Sequence, residues 1–82
     1  MRTVTLYGRP GCHLCDEARE TLARVQHTAP FRLAEVNIET DDALHARYLE
    51  RIPVIALDGE ELFDYEVDEE ALLRRILYRE GR

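Results

Sequence analysis

The chain has 82 residues, of which 45% are hydrophobic and 34% are charged, and its formal net charge at pH 7 is -6. A chain of this length buries only slightly more than about 60% of its unfolded surface, so we expect one domain, residues 1–82, around one modest core. Because there is no lysine and the arginines are scattered, the sequence lacks a basic stripe that could follow a phosphate backbone, and nucleic acid is excluded as an expected partner.

The N-terminal segment, MRTVTLYG, carries one charge and passes directly into an alternating pattern and a turn. It lacks the longer apolar segment and the cleavage site of a secretory signal, and no apolar run in the chain is long enough to span a bilayer. We therefore expect a cytoplasmic protein that has no membrane partner. In that reducing compartment a static disulfide is disfavoured, so a lone cysteine pair is expected to be catalytic or metal-binding.

The first part of the chain predicts a strand, a helix and a second strand. Residues 3–7, TVTLY, are rich in β-branched and aromatic residues, and GRPG then ends this strand. Residues 31–38, FRLAEVNI, are long enough for a second strand. Between the two strands, apolar residues recur at intervals of three and four, which predicts a helix that ends near His27. Its predicted buried face consists of Leu14, Ala18, Leu22 and Val25.

The middle of the chain predicts a short helix and a hairpin. Thr40 or Asp41 can cap the helix, which must end before Pro53 because a residue that precedes proline avoids the α region. Residues 53–63 follow as a hairpin, since the Asp-Gly pair at 58–59 is typical of a tight type I′ turn. The apolar side chains of the short helix are Leu44, Tyr48 and Leu49.

A last helix is predicted after the hairpin. Asp68 is a favourable N-cap, Val67 and Leu72 occupy the two positions of a hydrophobic staple, and Gly81 closes the helix. The side chains predicted to face the core are Leu72, Leu73, Ile76 and Leu77. The basic residues that suit the negative end of the helix dipole are Arg74, Arg75 and Arg79.

The predicted order of elements is β-α-β-α-β-β-α, in the α/β class. A right-handed crossover makes the first two strands parallel, and the hairpin adds two antiparallel strands. We therefore expect a mixed four-stranded sheet flanked by three helices.

The two cysteines of the chain, Cys12 and Cys15, lie where the first strand gives way to the first helix. The thiolate is the nucleophile, and a free cysteine is mostly protonated at neutral pH. Unpaired N–H groups and the positive end of the dipole at a helix start stabilise a thiolate. Cys12 has this position, whereas Cys15 lies one turn inside the helix. The asymmetry predicts that Cys12 attacks a substrate disulfide and that Cys15 resolves the mixed disulfide.

Charged neighbours act on Cys12 in opposite directions. Arg9, and His13 when it is protonated, favour the thiolate, whereas Asp16 and Glu17 in the first turn repel it. We therefore expect the pKa of Cys12 to lie moderately below that of a free thiol. Arg9 is also a candidate for steering anionic substrates, and the alternative for both Arg9 and His13 is a solvated loop residue.

The cysteine pair allows other interpretations. A tetrahedral zinc site needs four ligands, and the chain adds only three histidines, none at a standard finger spacing: His13, His27 and His45. Such a site would need a dimer or distant histidines, so no metal site is predicted, and His27 and His45 are interpreted as structural or solvated. A static clip is disfavoured by the expected compartment. The remaining alternative is a non-catalytic adaptor or metal-handling module that uses the same groove for docking.

The motifs around the cysteines carry a family resemblance. GRPGCHLC resembles the active-site loop of glutaredoxins, and RIPVI resembles the thioredoxin-fold motif whose proline is cis and faces the cysteines. CHLCDEA is most similar to small glutaredoxin-like proteins of the thioredoxin fold, and the resemblance covers nearly the whole chain. It implies a thioredoxin-like (glutaredoxin-type) fold and a thiol-disulfide oxidoreductase. It also implies a cis Ile52-Pro53 bond beside which the Ile52 backbone pairs with a substrate or glutathione segment.

The sequence departs from glutathione-using members of that family after the fourth strand. Phe63 and Asp64 stand where those members have Gly-Gly, so bulk and negative charge replace open backbone amides. We expect no bound cofactor. The expected substrate is a disulfide-containing protein or a glutathione mixed disulfide, and the expected electron donor is glutathione or a thioredoxin-reductase-like enzyme. The protein is expected to act as a monomer, with a reduction potential in the reducing half of the range of known dithiols.

Overall fold

The computed structural model describes residues 1–78. Its elements follow the predicted order, with a short 3-10 turn added after the second strand. In chain order they are β1 (Thr3–Gly8), α1 (His13–Thr28), β2 (Arg32–Asn37), the 3-10 turn (Ile38–Thr40), α2 (Asp42–Tyr48), β3 (Val54–Leu57), β4 (Glu60–Asp64) and α3 (Glu69–Leu77). The predicted closing glycine, Gly81, and the predicted C-terminal cation Arg79 lie outside the described residues.

The four strands form one mixed sheet in the order β2-β1-β3-β4. β1 pairs with β2 in parallel, from Thr3 opposite Arg32 to Gly8 opposite Asn37. β3 runs antiparallel to β1, and β4 runs antiparallel to β3. The predicted α/β architecture is therefore confirmed. Because β1 is central, the loop that leaves its carboxyl end lies between the end of β2 and the start of β3.

The core divides into two clusters of buried side chains. The larger cluster joins α1 and α3 to the sheet and consists of Val4, Leu6, Ala18, Leu22, Val25, Phe31, Ile55, Leu57 and Leu72. The smaller cluster consists of Cys15, Ile38, Tyr48, Ile52 and Val54. Side chains alternate along a strand, so β3 serves both clusters: its odd-numbered residues enter the larger one and Val54 enters the smaller one. The smaller cluster is the one that contains a cysteine.

The buried face of α1 differs from the prediction at its first turn. Cys15 is 1% exposed and Leu14 is 38% exposed, so the placement of Leu14 in the core is wrong. Cys15 faces the sheet because the backbone of Gly8 leaves room for its sulfur. Leu14 instead lines a surface groove together with Tyr65.

The N-cap of the short helix α2 is one of the two residues predicted for that position. The Asp41 carboxylate accepts hydrogen bonds from the backbone N–H groups of Ala43 and Leu44. Tyr48 is buried, whereas Leu49 is 39% exposed. The reason is that the helix ends at Tyr48 and Leu49 follows it as the C-cap.

The predicted hairpin turn and the last helix are both present. Asp58 and Gly59 have positive φ angles of 50° and 92°, as a type I′ turn requires. Asp68 caps α3 by accepting a hydrogen bond from the N–H of Ala71 at 3.0 Å. Leu72 is buried with Val67 packed against its cluster, as expected for the staple. Leu77 is 54% exposed at the end of the helix, which contradicts its predicted burial.

Within residues 1–78, no helix combines the length and the apolar character that crossing a bilayer requires.

The hairpin turn is held to the N-terminus by its aspartate. The Asp58 carboxylate accepts hydrogen bonds from the Thr3 N–H at 2.9 Å and from the Arg2 guanidinium at 2.8 Å. These two contacts, with the Thr3 N–H the larger cause, lower the pKa of Asp58. Because the folded-state pKa is depressed, the stabilisation is present near neutral pH and is lost as the pH falls through that lowered pKa.

We predict that Asp58→Asn lowers the free energy of unfolding at pH 7 by about 0.5 to 1 kcal/mol, the range of a half-exposed ion pair. Asparagine tolerates the positive φ at this position, so the variant removes the charge and keeps the turn. The difference from the wild type should shrink below about pH 4, where the unfolded-state aspartate is already protonated. Urea unfolding of both proteins at several pH values measures it, and a difference that is independent of pH would contradict the assignment.

Candidate active site

The loop between β1 and α1 places the first cysteine at the start of a helix. Gly11 has a φ of +77°, a conformation that glycine adopts readily, and it leads the chain into Cys12. Cys12 is the N-cap of α1, with extended backbone angles. Its sulfur accepts a hydrogen bond from the Cys15 N–H at 3.2 Å, and its carbonyl oxygen accepts one from the Asp16 N–H at 3.1 Å. The Cys12 sulfur therefore contacts the positive end of the helix dipole.

Cys12 and Cys15 form a disulfide, with their Cα atoms 5.2 Å apart. Their exposure differs: Cys12 is half-buried, whereas Cys15 is 1% exposed. Only the first sulfur can thus be approached from solvent. The Cys15 sulfur can exchange with a substrate disulfide only by way of the Cys12 sulfur.

Gly8, at the end of β1, permits the close packing of Cys15 against the sheet. A Cβ atom built on Gly8 would lie 2.7 Å from the Cys15 sulfur and 3.4 Å from the Cys15 Cβ. The first distance is shorter than contacts between non-bonded atoms allow, so a larger residue would displace the sulfur. In the sequence, this glycine is marked only by its place at the end of the first strand, four residues before Cys12.

The small core cluster forms the floor behind the cysteine pair. It brings Cys15 and Ile52 together, and Cys12 packs against it from the partly exposed side. The Ile52-Pro53 peptide bond is cis, as the resemblance implied. Ile52 makes no backbone-to-backbone hydrogen bond within residues 1–78. Its peptide groups are therefore not committed to the sheet, although the residue lies next to the cysteines.

An aromatic stack supports this floor from α2. The rings of Tyr7 and Tyr48 lie 4.6 Å apart between centroids, at an interplanar angle of 27°. The Tyr48 hydroxyl donates a hydrogen bond to the Glu61 carboxylate at 2.8 Å. Burial, followed by this contact with Glu61, raises the pKa of Tyr48. The stack thus connects the end of β1 to the hairpin by way of α2.

Arg51, which directly precedes the Ile52-Pro53 segment, ties that segment to β4. Its guanidinium donates hydrogen bonds to Glu61 at 2.6 Å and to both carboxylate oxygens of Asp64 at 3.1 Å. Its Cζ atom also lies 5.4 Å from the centroid of the Tyr48 ring. Hydrogen bonds from Arg51 and then from Tyr48 lower the pKa of Glu61. We call Tyr48, Arg51, Glu61 and Asp64 the carboxylate clamp.

The two other predicted binding residues, Arg9 and His13, are exposed and face carboxylates. An Arg9 nitrogen lies 3.8 Å from an oxygen of Glu39. The His13 side chain is 84% exposed, and its Nε2 atom lies 2.8 Å from an oxygen of Glu17. Arg9 lines a cavity of about 230 Å³ next to β2, which is a different place from the Ile52-Pro53 segment. The structure thus brings Cys12, Cys15 and Ile52 together and leaves Arg9 on another side of the loop.

A second groove, of about 190 Å³, lies between α1 and the segment that follows β4. Tyr65 adopts a φ of 68°, and its N–H donates a hydrogen bond to the Pro53 carbonyl at 2.9 Å. Its hydroxyl donates a hydrogen bond to the carbonyl of Glu50. The groove includes Leu14, Glu17, Thr21, Tyr65, Glu66 and Val67. This groove is not among the predictions from sequence, because no periodicity links α1 to the segment after β4, and Glu17 is predicted there only as a charge near Cys12.

His27 lies in the last turn of α1 and His45 lies in α2. Across residues 1–78, no group of three or more histidine, cysteine, aspartate or glutamate side chains is placed to hold a metal ion.

Known sequences are similar to this chain over most of its length. A family model described as Glutaredoxin-like domain (DUF836) matches residues 3–77. The uncharacterized protein Rv0508 of Mycobacterium tuberculosis is 32% identical over 74 residues, which cover 84% of this chain and 76% of that protein. The uncharacterized protein Mb0520 of Mycobacterium bovis is similar to the same extent.

Solved structures share the fold. The solution NMR structure of protein Ne2328 from Nitrosomonas europaea has a TM-score of 0.81 at 32% identity, covering 92% of this chain and 91% of that chain. The X-ray structure of protein XcR50 from X. campestris has a TM-score of 0.72 at 39% identity, covering 85% and 89%. A mutant thioredoxin from Halobacterium salinarum has a TM-score of 0.68 at 22% identity, covering 99% and 77%, which is a likeness of fold alone.

We predict that Gly8→Ala lowers the free energy of unfolding by about 1 to 3 kcal/mol, the usual cost of overpacking a core. The cause is the contact with the Cys15 sulfur, so the cost should fall by at least about 0.5 kcal/mol in a Cys15→Ala background. Urea unfolding of the four proteins under reducing conditions completes this double-mutant cycle and excludes effects of the disulfide. An equal cost of Gly8→Ala in both backgrounds would show that the sulfur is not what the new methyl group meets.

Proposed function

The chain belongs to the glutaredoxin-like domain family, and from this premise we propose that it is a thiol-disulfide oxidoreductase that reduces protein or glutathione mixed disulfides through a Cys12-Cys15 dithiol. The thioredoxin-like fold with a disulfide-bonded cysteine pair supports a redox role. The observation that carries the proposal is the contrast between a half-buried Cys12 at the N-cap and a buried Cys15. A structural disulfide would not need one sulfur at the surface and at the end of a helix dipole.

The N-cap position supports Cys12 as the attacking sulfur. Its contact with the Cys15 N–H is a hydrogen bond that stabilises a thiolate more than a thiol, and the helix dipole acts in the same direction. Asp16 acts in the opposite direction and disfavours the Cys12 thiolate. Its carboxylate oxygen, however, lies 2.9 Å from a guanidinium nitrogen of Arg19. Glu17 is similarly close to His13. The two repelling carboxylates therefore have partners of their own.

The proposed reaction has two exchange steps. The Cys12 thiolate attacks one sulfur of a substrate disulfide, which forms a mixed disulfide and releases the other substrate sulfur as a thiolate. The Cys15 thiol then loses its proton and attacks the Cys12 sulfur, which forms the Cys12-Cys15 disulfide and releases the second substrate thiolate. The substrate gains two electrons, and its two thiolates take up the proton that Cys15 loses and one proton from solvent, which replaces the proton released when Cys12 ionised. An external thiol donor returns the pair to the dithiol.

The Ile52-Pro53 segment is the proposed platform for the substrate backbone. Ile52 lies in the same cluster as Cys15, and its peptide groups make no backbone hydrogen bond within the described part of the chain. An extended segment that bonds to these groups would bring its sulfur next to Cys12. The carboxylate clamp immobilises Arg51 and so limits the freedom of this segment. Such fixed positioning lowers the entropy cost of the exchange reaction.

Protein disulfides are favoured over glutathione disulfides as substrates. Phe63 and Asp64 continue β4 and pair with Ile55 and Val54, so they extend a strand where an open Gly-Gly backbone would bind glutathione. Phe63 also packs against the larger core cluster. We propose a thioredoxin-reductase-like enzyme or glutathione as the electron donor. We propose that the protein acts in the cytoplasm as a monomer without a bound cofactor.

A titration in glutathione redox buffers, quenched by alkylation and analysed by intact mass, tests the proposal. We predict a reversible two-electron midpoint for the wild type, loss of exchange activity in Cys12→Ser, and a mixed disulfide trapped on Cys12 when Cys15→Ser is given a disulfide-linked substrate peptide. The reason is that only Cys12 can be reached by a substrate, whereas Cys15 is needed to release it. The two serine variants are matched, because each replaces one sulfur atom by oxygen.

The outcomes separate the proposal from its alternatives. A glutathione adduct on Cys12 in Cys15→Ser would make glutathione a direct donor, whereas a midpoint without an adduct would indicate a protein donor. The absence of any reversible disulfide would contradict the proposal. Binding of a partner that survives both serine substitutions would then favour a non-catalytic adaptor.

A further inference from the structure

The groove between α1 and the segment after β4 is related to the cysteine pair through Leu14 and to the Ile52-Pro53 segment through Tyr65. Leu14 is one of the two residues between the cysteines, and its side chain is part of the groove wall. Tyr65 forms the opposite wall and is bonded through its N–H to the Pro53 carbonyl. Both side chains are large and exposed, at 38% and 50%. A chain that lies on the Ile52-Pro53 segment with its sulfur at Cys12 therefore has neighbouring side chains at the mouth of this groove.

The groove carries negative charge. Glu17 and Glu66 line it, and no lysine, arginine or histidine is among its lining residues. Glu66 makes no ion pair within residues 1–78, and its backbone N–H bonds only to the Asp64 carbonyl. Glu17 has His13 as its partner, and both side chains are mostly exposed. The Glu66 carboxylate is thus available to an incoming cation, which can also compete with His13 for Glu17 because that pair is exposed.

Arg24, which contacts the groove residue Thr21, does not neutralise the groove. Arg24 donates a hydrogen bond to the Thr21 hydroxyl at 3.1 Å, at the end of the groove further along α1. The same guanidinium pairs with Glu69 at 3.3 Å. The charge of Arg24 is therefore already balanced by the Glu69 carboxylate, and the net charge of the groove remains negative.

We propose that this groove selects protein disulfides whose cysteine is flanked by a lysine or arginine. This inference rests on the proposed function and specifies its substrate. The long aliphatic stem of a lysine or arginine can pack between Leu14 and Tyr65 while its charged end reaches Glu17 or Glu66. Exposed negative charge on the protein speeds the association of positively charged substrates and slows that of negatively charged ones. The two glutamates therefore determine substrate specificity. Glutathione, with two carboxylates and one ammonium, is a poor match for the same surface.

Single-turnover reduction of three synthetic peptides tests this proposal. The peptides are identical except that the cysteine is flanked on both sides by lysine, by glutamine or by glutamate, and each is linked by a disulfide to 2-mercaptoethanol. Pre-reduced protein is mixed with each peptide, and the second-order rate constant is measured from loss of the peptide disulfide. A single turnover removes the electron donor from the comparison.

At low ionic strength we expect the lysine peptide to react on the order of five times faster than the glutamate peptide, with the glutamine peptide between them. The ratio of the lysine and glutamate rates should approach one at about 0.5 M salt, where the Debye length is only a few ångströms. Glu17→Gln and Glu66→Gln should each reduce the ratio, and the double variant should nearly abolish it.

The matched control is Glu60→Gln, which changes the net charge by the same amount. Glu60 begins β4 opposite Leu57, whereas Tyr65 follows the other end of that strand, so Glu60 is remote from the groove. The ratio should be unchanged in this variant. An equal loss in Glu60→Gln and Glu66→Gln would overturn the proposal, because net charge alone would then explain the preference.

The outcomes distinguish this inference from the proposed function. Equal rates for the three peptides, or faster reduction of the glutamate peptide, would overturn the inference and leave the oxidoreductase activity intact. If none of the peptides is reduced by the dithiol form, the proposed function fails and the inference fails with it.

Discussion

The close approach of β1 and α1 at the Gly8-Cys15 contact is the constraint on which the site depends. Because Gly8 has no side chain, the Cys15 sulfur can sit against the end of the central strand. This packing buries Cys15 and leaves Cys12, three residues earlier, at the helix N-cap. Two chemically identical thiols thereby acquire different environments. One is reachable and contacts helix N–H groups, and the other is enclosed by apolar side chains, which is the asymmetry that a two-step disulfide exchange requires.

The carboxylate clamp fixes the position of the other side of the site. Arg51 binds carboxylates of two residues on β4 and lies next to the ring of Tyr48, so the segment before Pro53 is fixed to the hairpin. The Tyr7-Tyr48 stack in turn connects this assembly to the end of β1. The same strand thus positions the cysteine loop and, through the stack, the proposed substrate platform. Partly exposed ion pairs of this kind contribute little stability individually, and their main effect here is geometric.

Local chemistry in the sequence predicts most of the fold, because caps, turns and strand patterns act over a few residues. Asp41, Asp68 and the 58–59 turn perform the roles expected of them. Contacts between distant segments are what the sequence could not provide. The clamp requires the register of β4 against β3, and the groove requires α1 to lie near residue 65, neither of which follows from periodicity. The core prediction also failed at helix ends, where Leu14 and Leu77 are exposed.

The most direct test of the account is alkylation of the reduced protein by iodoacetamide as a function of pH, with the modified cysteine identified by peptide mapping. We predict that Cys12 is modified first and that its pKa lies below that of a free thiol, because its sulfur accepts a hydrogen bond at the start of α1. Cys15 should react only when the protein is unfolded. Equal modification of both cysteines, or a Cys12 pKa at or above that of a free thiol, would contradict the account.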